Sequence, residues 1–184
     1  MKKVWWIVLA VAVAVFLYGW SAYNGFIGKN EAVDNQWAQV EAQYQRRLDL
    51  IPNLVESVKG MMKQEQVIFD TLAEARTRYS GAVTVDAKAA AAGEVETALG
   101  RLLAVVENYP TLKSSENVQT LMAQLEGTEN RVSVERQRFN DTVRVLNVAV
   151  KRFPSNVIAG IFGFGERTYF EAAAGAENAP QVQF

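Results

Sequence analysis

The 184-residue chain contains neither cysteine nor histidine. The first absence excludes disulfides, thiolate metal sites, cysteine nucleophiles and the lipidated cysteine of a lipoprotein. The second removes the commonest general base and the commonest zinc ligand. Serine triads and the Glu-x-x-His sites of helical bundles go with it. Glycine-rich phosphate loops are also missing, because Gly160, Gly163 and Gly165 lie in an apolar tail rather than between a strand and a helix. An excess of one charge is lacking too. The 19 basic and 20 acidic residues leave a net charge of -1, which argues against nucleic acid as a partner. The carboxylates left for a metal, Glu65, Glu107, Glu129 and Glu135, carry no ligand motif. The expectation is a protein with no enzymatic activity, no cofactor and no metal.

What the chain does have is one long uncharged run and several long amphipathic ones. Val4 to Tyr23 carries no charge, and its 20 residues of helix would cover ~30 Å, the thickness of a hydrocarbon core. Trp5 and Trp6 at one end, and Tyr18, Trp20 and Tyr23 at the other, suit the two interfaces of a bilayer. Val4, Ile7, Leu9, Phe16 and Leu17 supply the apolar bulk between them. A cleaved signal peptide is the competing reading, but the run is long for one and Trp20 before Ser21-Ala22 makes a poor cleavage site. Lys2 and Lys3 precede the run, while only Lys29 follows closely, beside Glu31 and Asp34. The positive-inside rule then puts the N-terminus in the cytoplasm and the body outside it.

The segment Asn24 to Asn30 holds two glycines and predicts a flexible joint or a weakened helix. From Glu31 an apolar seam begins: Val33, Trp37, Val40, Tyr44, Leu48, Ile51, Val55, Val58, Met62, Phe69, Leu72 and Tyr79, with Glu65 and Arg76 at polar positions. Steps of three and four over such a length predict a bundle or coiled-coil helix. Pro52 predicts a kink there, or a break into two helices. After Ser80-Gly81 a second helix follows, capped near Asp86, with Val95, Leu99, Leu102 and Val106 on one stripe. Asn108 to Thr111 reads as a turn, and Ser114 as the cap of a third helix over Ser115 to Lys151. Its seam contains Thr128, Glu135 and Thr142 among apolar residues. Lone buried carboxylates are costly, so Glu65 or Glu135 is expected to pair with Arg47, Arg76 or Arg138.

Phe153-Pro154 ends the third helix. Val157 to Gly165 is too short to span a bilayer. It reads either as a cap over the end of the bundle or as a contact with the membrane surface or another subunit, through Ile158, Ile161, Phe162 and Phe164. Arg46, Arg47 and Asp49 likewise have two readings. They form a salt-bridged rim, or a docking surface in which arginine recognises carboxylate or phosphate. The fold class is all-α, with the organisation 1–23 anchor, 24–153 long-helix bundle of three principal helices, 154–170 apolar cap and 171–184 flexible tail.

Several stretches together are distinctive: RRLDLIPNLVESVKG from Arg46, ENYPTLKSSENVQTL from Glu107, ERQRFNDTVRVLN from Glu135 and GFGERTYFE from Gly163. In this order, after a single N-terminal span, they resemble the LemA family of bacterial membrane-anchored helical proteins. The resemblance marks Arg46, Arg47, Asp49, Pro52, Asn53, Glu107, Tyr109, Pro110, Arg138 and Asn140 as motif positions. Gln64 stands where the family usually has histidine, and Phe139-Asn140 where it has Tyr-Asn. The resemblance implies long antiparallel helices on a single membrane anchor, association with the cell envelope and no established catalysis; with the charge bias around the span, the expected location is the bacterial inner membrane with the body extracytoplasmic. The expected function is a self-associating scaffold that organises or shapes the membrane. The alternative is a monomeric adaptor for an envelope protease, transporter or signalling partner. Expected partners are the bilayer, further copies of the chain and an envelope protein.

Overall fold

Apolar residues recurring every three or four positions commit a chain to helices that bury one stripe. The computed structural model, which describes residues 2–60, 62 and 65–170, shows six helices and no strand among them. They are α1 (Lys2–Lys59), α2 (Gln66–Gly81), α3 (Val85–Glu107), α4 (Pro110–Lys113), α5 (Glu116–Lys151) and α6 (Ser155–Phe162). The segment 171–184, expected to be a flexible tail, lies outside the described residues.

α1 has 58 residues, or ~87 Å of helix. Its start is long and apolar enough to cross a membrane, and Lys3 to Tyr18 are all exposed. At two places along it one of the alternatives falls away, the flexible joint at Asn24 to Asn30 and the break at Pro52. Asn24 to Asn30 is helical throughout; both glycines are accommodated because Phe26 between them is buried. Pro52 also lies inside the helix. Burial of Ile51, Leu54 and Val58 outweighs the one backbone hydrogen bond that proline removes. The chain leaves the helix at Gly60, where a residue without a side chain favours a turn. Met62 and Glu65 therefore fall between helices rather than on a continuous seam.

The caps differ from expectation in detail. Thr84, not Asp86, caps α3, accepting a hydrogen bond from the Ala87 amide at 3.2 Å. Asp86 occupies the first turn instead, where its charge suits the helix dipole. Ser114 ends α4 and donates its hydroxyl to the Thr111 carbonyl rather than capping α5. Tyr109 is extended and Pro110 starts α4, as fixed proline φ allows.

The chain forms two compact units. The first joins Met1–Gln39 to Gln137–Tyr169. Its interior holds Phe26 and Val33 of α1, Phe139, Val143 and Leu146 of α5, and Ala159 of α6. Trp37 meets Phe139 edge-on at 5.3 Å between ring centroids. The second joins Val40–Arg136 to the chain from Phe170 onward, of which only Phe170 is described. Its core contains Val40, Tyr44 and Leu48 of α1, Phe69, Leu72 and Tyr79 of α2, Val95, Leu99 and Leu102 of α3, and Val118, Leu125 and Val132 of α5. Within it α1 and α5 run antiparallel, since Tyr44 meets Arg136 and Arg47 meets Glu129.

Candidate functional site

Two constellations stand out, one in each unit. In the second unit, Arg47 is only 7% exposed. α1 turns it inward beside Tyr44 and Leu48, one helical turn apart from each other on the same face. Its Nη1 donates to Glu129 of α5 and lies 3.7 Å from Glu96 of α3. Arg136 of α5 donates to Glu96 and to the Tyr44 hydroxyl, and that hydroxyl donates to Glu96 at 2.9 Å. The Arg136 guanidinium also lies over the rings of Tyr44 and Phe170, at 5.3 and 4.6 Å from their centroids. Two arginines and two carboxylates are thus interlocked around one tyrosine. Burial, then the neighbouring Glu129, pushes the Glu96 carboxyl up to about 7, with Arg47 pulling it back.

Arg47 is one of the arginines expected to pair across the bundle. For Arg47 itself the partners are Glu96 and Glu129. Beside the cluster opens a cleft of about 570 Å³, with Leu99, Leu103 and Met122 on its apolar wall and Arg47, Lys113 and Glu129 at its polar edge. A smaller cleft of about 320 Å³ is lined by Arg46, Leu50, Thr128 and Arg131.

The expected motif residues do not gather at one place. Arg46 and Asn53 are exposed on α1, and so is Asp49, which accepts a 2.8 Å hydrogen bond from Gln45. Pro52 is half-buried within the helix. Glu107, Tyr109 and Pro110 make the turn between α3 and α4. Arg138 and Asn140 lie on α5 in the other unit. Arg47 of the Arg46–Asp49 group is therefore buried in the ion cluster at the polar edge of the larger cleft, while Arg46 and Asp49 lie at the surface.

The first unit carries an apolar collar beside the end of the membrane-length run. α6 ends at Gly163, whose φ of +73° is readily reached only without a side chain. The Phe164 amide then returns to the Ala159 carbonyl at 2.9 Å. This reversal lays Phe164 on Phe26 at 5.0 Å and against Tyr23 at 5.7 Å. Phe162 meets Tyr23 edge-on at 4.9 Å. A methyl group built on Gly19 would lie 3.7 Å from Ile158 Cδ1. Of the tail residues named as contacts, Ile158 and Phe164 pack within the chain, whereas Ile161 and Phe162 stay mostly exposed.

Below the collar a polar clamp follows. The Arg167 guanidinium donates to Asn30 at 3.0 Å and to Asp34 at 3.0 Å. Asn147 is buried and exchanges two hydrogen bonds with the Arg167 backbone, at 2.8 and 2.9 Å. Sequence reasoning missed both this clamp and the Glu96–Arg136 pair. The available signals were Asn147 inside an apolar run of α5 and Glu96 between Val95 and Leu99.

The comparisons with known proteins agree with this architecture. Magnetosome proteins MamQ 1 and MamQ 2 of Paramagnetospirillum magneticum are each 29% identical over 175 residues, covering 81% of this chain and 64% of their own. Magnetosome protein MamQ of Magnetospirillum gryphiswaldense is 29% identical over 174 residues, covering 80% and 64%. The chain thus spans 64% of the length of these relatives. Residues 36–184, from the middle of α1 through α6 and beyond, match the LemA family, and the chain belongs to it.

Proposed function

We propose that this LemA-family protein is a non-enzymatic scaffold of the bacterial inner membrane, whose copies associate side by side and so organise or shape the bilayer that holds them. The N-terminus faces the cytoplasm and the body lies outside it. The observation that carries this reading is the junction between anchor and body. α1 passes from its apolar run into the first unit without a break, and Phe164 and Arg167 hold it there. A helix held this way passes the attitude of the body to the bilayer. A flexible tether would suffice to keep an adaptor nearby. The relatives are named as magnetosome proteins, and the apolar run of α1 is long enough to cross a membrane, which supports the same reading.

The test is the mass of the full-length chain in mild detergent, by light scattering. A uniform particle of several copies is expected, and a monomer would refute the scaffold. A second reading, an adaptor for an envelope protein, rests on the cleft between Arg46 and Arg131. Under that reading Arg46→Glu loses a co-purifying protein while leaving particle mass unchanged.

A further inference from the structure

The outer face of α6 is built in an unusual way for a surface helix. Ala159 is buried and Ile158 reaches Gly19, so these residues define the inner face. The residues pointing the other way are Val157, Gly160 and Ile161, with Phe153 just before the helix. Val157 is 51% exposed, Ile161 68% and Phe153 76%. A helix capping a bundle in water places polar side chains there. Here the apolar residues occupy both faces, and the polar residues Ser155 and Asn156 are confined to the first turn.

The position of the helix explains the pattern. Ile158 and Phe162 touch α1 at Gly19 and Tyr23, the last turn of the uncharged run Val4 to Tyr23. That contact lies within ~6 Å of the end of the run, counted at 1.5 Å per residue. This is the depth at which amphipathic helices lie between headgroups and acyl chains. Trp20, 65% exposed on the same turn, is a residue type that prefers this layer. Lys151 and Arg152 precede the apolar stripe and are exposed, as suits a headgroup region.

We propose that α6 is a second membrane contact: it lies in the interfacial layer of the leaflet next to the body, with Phe153, Val157 and Ile161 in phospholipid. The apolar surface of the anchor continues onto α6 without a gap. The chain therefore meets the bilayer through a span plus a short helix lying beside its exit point. Gly163 turns the chain back out toward the polar clamp.

The chain's freedom from cysteine makes the test direct. Single spin labels are attached to Val157→Cys, Ile161→Cys, Val13→Cys and Val145→Cys in the full-length chain. Each protein is reconstituted into phosphatidylcholine vesicles with a minority of phosphatidylglycerol. Collision with oxygen, which partitions into lipid, is compared with collision with a water-soluble nickel chelate. Val13 lies in the span and reports whether the anchor is embedded. Val145, exposed on α5, reports the aqueous value. With Val13 in lipid, the ratio of oxygen to chelate collision at Val157 and Ile161 should exceed that at Val145 several-fold. Ratios equal to that at Val145 would overturn the proposal and make α6 a cap in water. Labels shielded from both reagents, with spin–spin broadening between copies, would overturn it in favour of a subunit contact. Particle mass reports on the scaffold separately, so the two readings fail independently.

Discussion

Arg47→Met keeps the length of the side chain and deletes its charge, so it isolates what the ion cluster contributes. Removing one partner of a fully buried ion pair costs about 3–5 kcal/mol, because the other charge is stranded. Here the losses are smaller. The Glu129 side chain is 42% exposed and can rehydrate, which brings its share toward the ~0.2–1 kcal/mol of a surface pair. Glu96 is 25% exposed but keeps Arg136 and the Tyr44 hydroxyl. The net loss should be about 2 kcal/mol near neutral pH, or roughly 4–8 °C in Tm for a chain of this size.

The loss should also depend on pH with a definite sign. Burial and Glu129 raise the Glu96 carboxyl to about 7, above the unfolded value of about 4.3. A raised carboxyl contributes stability that is full below the unfolded value and is lost as pH climbs through the folded one. Without Arg47 the folded value rises further, so the variant goes on losing stability above about pH 7, where the intact protein has levelled off. The deficit should be small at about pH 5 and full at about pH 8. Thermal loss of helical circular dichroism, on the full chain in mild detergent, measures it. Equal deficits at both pH values would refute the reasoning, as would a deficit that grows on acidification. Adding Glu129→Gln to Arg47→Met should cost less than the sum of the two single changes, because the pair is direct.

Two further predictions concern the first unit. Gly163→Ala should cost about 1 kcal/mol, since φ is +73° there, and speed amide hydrogen exchange across α6 about fivefold; unchanged exchange would mean the reversal tolerates a side chain. Arg167→Met removes the bonds to Asn30 and Asp34 but leaves the backbone pairing with Asn147. It should cost about 1 kcal/mol and speed exchange near Asn30 while leaving the second unit unchanged, and a uniform effect on both units would refute a local clamp.

The helices were legible in the sequence because apolar spacing reports burial directly, and most of the seam is buried as expected. The departures are systematic. Leu54 is buried rather than Val55, Ala75 rather than Arg76, and Val143 rather than Thr142. An α-helix turns every 3.6 residues, so a strict alternation of three and four drifts off the buried face over several turns. At Pro52 the helix does not break, because the tertiary burial of Ile51 and Leu54 overrides the local propensity. Of the two readings of Asn24–Asn30 the helix holds for a related reason: Phe26 within it packs on Phe164, far along the chain. The same limit hid the ion cluster. That Arg47 would need a carboxylate followed from its place near the seam, but its choice of Glu129 and Glu96 depends on how α1, α3 and α5 align. Nothing local in the sequence specifies that alignment.

The Arg167 clamp also sets an order of events during synthesis. Asn30 and Arg167 are 137 residues apart. At ribosomal speeds of about 5–20 residues per second, roughly 7 to 27 seconds pass between them. The anchor therefore emerges and can enter the bilayer well before its clamp exists. Through that interval the glycine-bearing stretch from Asn24 to Asn30 is a bare helix with neither Phe164 nor Arg167 against it. The first unit is closed only when Phe164 and Arg167 arrive. A chain truncated before Phe164 would thus keep its apolar N-terminal helix but leave Tyr23 and Phe26 uncovered.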